Sequence, residues 1–167
     1  MSAAGETFSI SSDLAAPCGA VWSHISSMAG INQELAPLSM TYPASVAELR
    51  AEAVPLGQVL FRSWVLLYGV LPIDRHALRL MELRPGEGFH EDSTSWLQRR
   101  WVHERWLAPI PGGCRVIDRL RFTPRLGLLR PLVAAIVRAT FQRRHRCLRQ
   151  RLQLASSSAG PSPPLAR

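Results

Sequence analysis

Hydrophobic and polar residues alternate over most of this chain, giving way to a helical period only after the first strand and again towards the C-terminal end. Thr7-Phe8-Ser9-Ile10-Ser11 predicts a first strand with Phe8 and Ile10 inward. Asp13 to Pro17 breaks the pattern, and Pro17 suits the first turn of a helix. Val21, Trp22, Ile25 and Met28 recur at helical spacing and predict a short helix ending at Gly30; Ile31 to Leu35 predicts a second, stopped before Pro37. Leu38 to Tyr42 reads as a second strand, and Pro43 to Pro55 does not decide between strand and loop. Gln58 to Leu71, rich in β-branched and aromatic residues, predicts a long third strand. In Asp74 to Leu83 the residues His76, Leu78, Leu80 and Glu82 share a face, and the turn Pro85-Gly86-Glu87-Gly88 leads into Phe89-His90-Glu91-Asp92-Ser93.

The most informative pattern is the last hairpin. Trp101, His103, Arg105 and Leu107 fall on one face of a strand that ends in the turn Pro109-Ile110-Pro111-Gly112-Gly113. Beyond the turn, Cys114, Val116, Asp118, Leu120 and Phe122 alternate against Arg115, Arg119 and Arg121. Three arginines want water, so the other row faces inward and carries Asp118 with it. Pairing Leu107 with Val116 sets Arg105 opposite Asp118 and His103 opposite Leu120.

From Pro131 the period becomes helical, with Val133, Val137, Thr140, Phe141, Leu148 and Leu152 on one stripe. Arg144 falls inside that stripe; Arg138, His145 and Arg149 follow one flank, and Arg143 and Arg146 take the opposite face. Ala155 to Arg167 has the composition of a disordered tail. The reading is one α+β domain over residues 6–154, with six or seven antiparallel strands, two short helices after the first strand and a long C-terminal helix.

Composition narrows this only in part. A chain of 167 residues with 47% hydrophobic content suits one domain, and its longest apolar run, Val65 to Leu71, is too short to span a bilayer. Met1 to Ile10 shows no secretory pattern, and Cys18, Cys114 and Cys147 show no metal-like spacing, so reduced thiols in a cytoplasmic protein are expected. Cys114 and Cys147 are expected to pack as small apolar residues. All 20 basic residues are arginine, the net charge is +8, and eleven arginines but no acid follow Asp118. That asymmetry permits peripheral contact with an anionic membrane through the arginine-rich helix; nucleic acid is the weaker reading, and a solvated helix face is the plainest one.

Candidate chemistry gathers on the inner face: Glu91, His103, Arg105 and Asp118, with Arg144 offered from the helix. Two acids, two arginines and an imidazole nearly neutralise one another, which favours an ion network pinning helix to sheet. The same groups could work in catalysis, His103 as general acid or base, Glu91 or Asp118 orienting it, and Arg105 holding an oxyanion. No histidine pair has metal-ligand spacing, so neither metal nor cofactor is expected. His24 and His90 are expected to be solvated, and Trp22, Trp64, Trp96, Phe61 and Tyr68 to join the core, with Trp106 on the outer face.

The chain resembles the START-like or SRPBCC superfamily in its element order and in a series of short motifs. These are Phe89-x-Glu91-x-Ser93, Trp101-x-His103-x-Arg105, Asp118 with Phe122 four residues on, and Phe141-x-x-Arg144-His145. The resemblance spans roughly residues 6 to 152. It implies a helix-grip fold, a curved sheet wrapped around the long helix with a cavity for a hydrophobic or amphipathic small molecule. Related cyclases and dehydratases make His103 a candidate acid–base catalyst. Relatives commonly carry a second histidine at the place of Arg105, so no histidine-pair chemistry is carried over. The expected ligand-binding set is Glu91, Trp101, His103, Arg105, Asp118, Leu120, Phe122, Phe141 and Arg144.

Overall fold

The computed structural model describes residues 5–46 and 54–158, with side chains through Leu152. In chain order the elements are β1 (Glu6–Leu14), α1 (Cys18–Ile25), α2 (Met28–Leu35), β2 (Leu38–Met40), β3 (Val59–Leu67), β4 (Leu71–Arg84), β5 (Gly88–Ser95), β6 (Gln98–Ile110), β7 (Gly113–Pro124) and α3 (Arg130–Ser158). The strands form one antiparallel sheet in the order β1-β7-β6-β5-β4-β3-β2. Consecutive strands from β3 to β7 meander by short turns, β2 pairs on the outer side of β3, and β1 closes beside β7. Register shifts in β3, β4 and β6 bend the sheet. The result is the expected helix-grip architecture, a curled half-barrel closed by α3.

The alternation in the last hairpin is realised as read. Leu107 pairs with Val116, Arg105 with Asp118 and His103 with Leu120. Leu120 and Phe122 pack against Ala134, Val137 and Phe141 of α3, all buried. Each large apolar side chain buried here contributes roughly 1.5–3 kcal/mol of transfer free energy. A second cluster joins Leu14, Val21, Ile25, Val116 and Leu148, tying α1 to the sheet and α3. Arg138, Arg143 and Arg146 of α3 are exposed, as a solvated face requires.

Several local expectations are corrected. The first helix stops at Ile25 instead of Gly30, because Ser27 caps a new one, its Oγ accepting the Gly30 N–H at 3.0 Å. Gly30 is a close-approach residue: a Cβ there would lie 2.0 Å from the His24 carbonyl oxygen. The long third strand ends at Leu67, where Tyr68 and Gly69 both adopt positive φ (53° and 72°) and turn the chain into β4. Tyr68 therefore sits on a turn and is exposed, outside the core. A bulge between Leu80 and Glu82 turns Glu82 off the inner row and gives its place to Leu83. Trp96 lies exposed on the β5–β6 turn, edge-on to Trp64 at 4.9 Å.

The cysteines depart furthest from expectation. Cys18 and Cys114 form a disulfide with Cα atoms 5.1 Å apart, while Cys147 is free. The bond removes the thiol-based support for a cytoplasmic address. Helix α3 continues through Ala155 to Ser158, so the start of the expected tail is helical; the rest of it, and the middle of the Pro43–Pro55 stretch, lie outside the described residues. Among the described residues no helix is long and apolar enough to cross a membrane.

Candidate functional site

Arg105 and Asp118 face each other across β6 and β7 and close a two-pronged ion pair. Nε and Nη2 of Arg105 donate to Oδ1 and Oδ2 of Asp118, each at 2.7 Å. The remaining edge, Nη1, donates to Oε2 of Glu34 on α2 at 2.8 Å, and Arg144 of α3 donates its Nε to the same oxygen at 3.1 Å. One carboxylate thereby ties α2, β6 and α3 together. Asp118 takes two further bonds, from Nε2 of His103 at 3.1 Å and Nε2 of His145 at 2.9 Å. The Arg149 guanidinium donates to Ser12 Oγ at 2.7 Å, and that oxygen lies 2.9 Å from His145 Nδ1. With Nε2–H of His145 directed at Asp118, the Ser12 hydroxyl donates onward to Nδ1 and every group in the chain is satisfied.

The electrostatics follow from this geometry. Burial alone would raise the Asp118 pKa, but the Arg105 charge, its hydrogen bonds and those of the two imidazoles hold it well below the carboxylate range. Glu34 is likewise buried yet lowered, by Arg105 and Arg144 together against the like charge of Asp118. Arg105, despite burial, is raised by Asp118 and Glu34. Arg144 is lowered, because burial and repulsion from Arg105 outweigh the pull of Glu34.

A second polar cluster lies on the other side of His103. His76 Nε2 contacts Glu91 Oε1 at 2.6 Å, and His103 Nδ1 stands 3.7 Å from Glu91 Oε2. Burial opposes charge on His76, but the attraction and hydrogen bond of Glu91 prevail and raise its pKa. Glu91 itself is held far below its ordinary value, burial notwithstanding, chiefly by His76. The His103 ring stands edge-on to Phe89 and Phe141, at 5.2 and 5.1 Å between centroids.

Between α3 and the sheet lies a cavity of about 300 Å³. Its walls are mostly apolar, drawn from α1 and α2 (Ile25, Met28, Leu35), the sheet (Leu78, Leu80, Phe89) and α3 (Val133, Val137, Phe141). Ile73, Leu97 and Ile136 line it and are also exposed, which places its mouth between the start of β4, the β5–β6 turn and the first turns of α3.

The structure divides the expected site residues. Glu91, Trp101, His103, Phe141 and Arg144 reach the cavity wall. Arg105 and Asp118 are completely buried behind His103, while Leu120 and Phe122 are packed under α3. Four polar partners escaped sequence reasoning. Glu34 carries a legible signal, an acid between Ile31 and Leu35 on a short apolar helix. His76 shares its row with Leu78 and Leu80. Ser12 continues the inward row of Phe8 and Ile10, and His145 stands beside Arg144 on the flank of the α3 stripe. His24 and His90 each bury an Nε2 without a hydrogen bond among the described residues; burial lowers the His24 pKa more than Glu34, 3.5 Å away, raises it. Among the described residues no group of histidine, cysteine and acid side chains is arranged to hold a metal ion.

Solved structures share this fold at low identity. The Zhui aromatase/cyclase from Streptomyces sp. R1128 matches with a TM-score of 0.68 and 12% identity over 95% of this chain and 99% of its own. A protein from Chromobacterium violaceum gives 0.66 and 16%, covering 87% of this chain and 96% of its own. A START superfamily protein from Mycobacterium smegmatis gives 0.64 and 10%, covering 89% and 98%. No curated protein sequence matches the chain. One family model, described as a domain of unknown function (DUF8410), matches residues 12–152.

Proposed function

The chain belongs to the DUF8410 family, and we propose that it binds a hydrophobic or amphipathic small molecule, lipid-like or polycyclic, without covalent chemistry. The observation that carries this reading is the cavity of about 300 Å³, apolar in its walls and polar at a few points. Ligand sites are built this way, with apolar area supplying affinity and a small number of directed groups supplying orientation. A START superfamily protein and an aromatase/cyclase on the same fold support it. Trp101 and Phe141 form aromatic wall, while Glu91, His103 and Arg144 contact the ligand's polar part. Arg105 and Asp118 act from behind, fixing the His103 ring.

Titration with the neutral dye Nile red tests the reading. Saturable fluorescence enhancement is expected, and it should be lost in Thr140→Phe, which fills the cavity from α3. Absence of uptake by the folded wild-type protein overturns it.

A second reading, acid–base catalysis of the cyclase or dehydratase type, draws on the Glu91–His76 contact at 2.6 Å, with His103 beside it, on the cavity wall. His103 is the proposed proton-transfer residue. Turnover of an enolisable substrate that vanishes in a folded His103→Asn variant would favour this reading; a variant losing only stability would count against it.

A further inference from the structure

We propose that the ligand carries an anionic head group, a carboxylate or a similar oxyanion, seated at the deep end of the cavity against the guanidinium of Arg144. This rests on the ligand-binding reading above. Arg144 occupies a position in the inward stripe of α3 where an aliphatic residue would fill space without cost. A buried guanidinium demands charged or hydrogen-bonding partners for all of its edges. Arg105 shows such complete pairing, with Nε, Nη1 and Nη2 all bonded to carboxylate oxygens. Arg144 does not. Only its Nε is hydrogen-bonded among the described residues, to a Glu34 oxygen that also serves Arg105. Its side chain is 7% exposed and lines the cavity.

The other charges of the cavity wall do not answer this demand. Glu91 is committed to His76 at 2.6 Å. Asp74 accepts backbone N–H groups from Arg75 and Leu97, close to the mouth. Phe141 packs against the Arg144 guanidinium, 4.9 Å from ring centroid to Cζ, and helps to fix its orientation. An oxyanion meeting the free edge would complete the pairing, adding charge-assisted hydrogen bonds to a buried guanidinium now bonded at Nε alone.

Depth fixes the orientation of the ligand. Ile136 marks the mouth on α3, and Arg144 lies eight residues further along, about 12 Å at the helical rise. The head group enters first and an apolar tail extends back past Phe141 and Val137 towards Ile136. Unbranched amphiphiles of medium length fit that path.

The test compares decanoate with 1-decanol, matched in chain length, as competitors of Nile red at pH 7.5. Decanoate is expected to bind about tenfold more tightly or better, a difference of about 1.4 kcal/mol. In Arg144→Met the preference should vanish while decanol affinity remains. Should that variant fail to fold, methyl decanoate replaces it as the control on wild-type protein, and it should bind as the alcohol does. Equal affinity of wild type for acid and alcohol overturns the proposal and leaves the ligand-binding reading standing. A preference that persists in folded Arg144→Met overturns the assignment to Arg144. Failure of both amphiphiles, with no Nile red uptake, overturns the underlying reading as well.

Discussion

The polar cluster around Asp118 and the one around Glu91 are separated by a single imidazole, yet they are built on different plans. Behind His103, the Arg105 guanidinium is bonded at all three nitrogens and Asp118 at both oxygens, and neither residue has exposed surface. In front of it, Glu91 and His76 make one short contact and share a wall with open space. The difference separates groups closed in on themselves from groups that border open space. A cluster that has completed its own bonding can only hold elements in place, whereas one that borders a void can exchange bonds with a guest.

The sharpest way to break this contrast is to remove Arg105. Arg105→Met leaves Asp118 with its two imidazoles and Glu34 with Arg144 alone, and should cost about 3–5 kcal/mol of unfolding free energy in urea titrations. A loss near that of an exposed substitution would abolish the distinction between the clusters. Glu91→Gln should cost less, about 1–3 kcal/mol, because His76 can shed its proton and the cavity can admit water.

The pH dependence of that second loss sharpens the comparison. Because the His76 pKa is raised above 6.5 in the folded state, its stabilisation is complete below that value and drains away as pH climbs through the raised one. Glu91, lowered from 4.5, contributes above its ordinary value and loses its effect as the medium becomes more acid. The stability gap between wild type and Glu91→Gln should therefore be widest at about pH 5–6 and narrow towards pH 9, as followed by thermal melting across buffers. The smallest effect belongs to the Arg115–Asp13 pair on the outer face, bonded at 2.6 Å but exposed. Arg115→Ala should leave the melting midpoint unmoved within error, since solvent screens both charges.

How far the sequence reveals these clusters depends on which elements build them. Strand alternation is rigid, so the row Trp101, His103, Arg105 and the row Val116, Asp118, Leu120 could be faced and paired before any coordinates. Helical residues are harder to place. Arg144 could be assigned inward because it interrupts an apolar stripe, but His145, one position on, lies on the flank and is held between Ser12 of β1 and Asp118 of β7. Glu34 is legible as an acid on an apolar helix but not as a member of the network, because its partners are 71 and 110 residues away, a separation that local pattern does not encode. The Tyr68–Gly69 turn is obscured for a local reason: its first residue adopts positive φ without the usual asparagine or glycine.

The bond between Cys18 and Cys114 turns α1, α2 and five of the strands into a covalent ring, with β1 on one free arm and β7 and α3 on the other. Its effect is greatest in the denatured chain, which remains a lasso; closing a ring of 96 residues restricts that ensemble by about 4–5 kcal/mol on the chain-entropy account. Thiol reductants would therefore lower the resistance of the molecule to unfolding even if they moved none of the residues around the cavity.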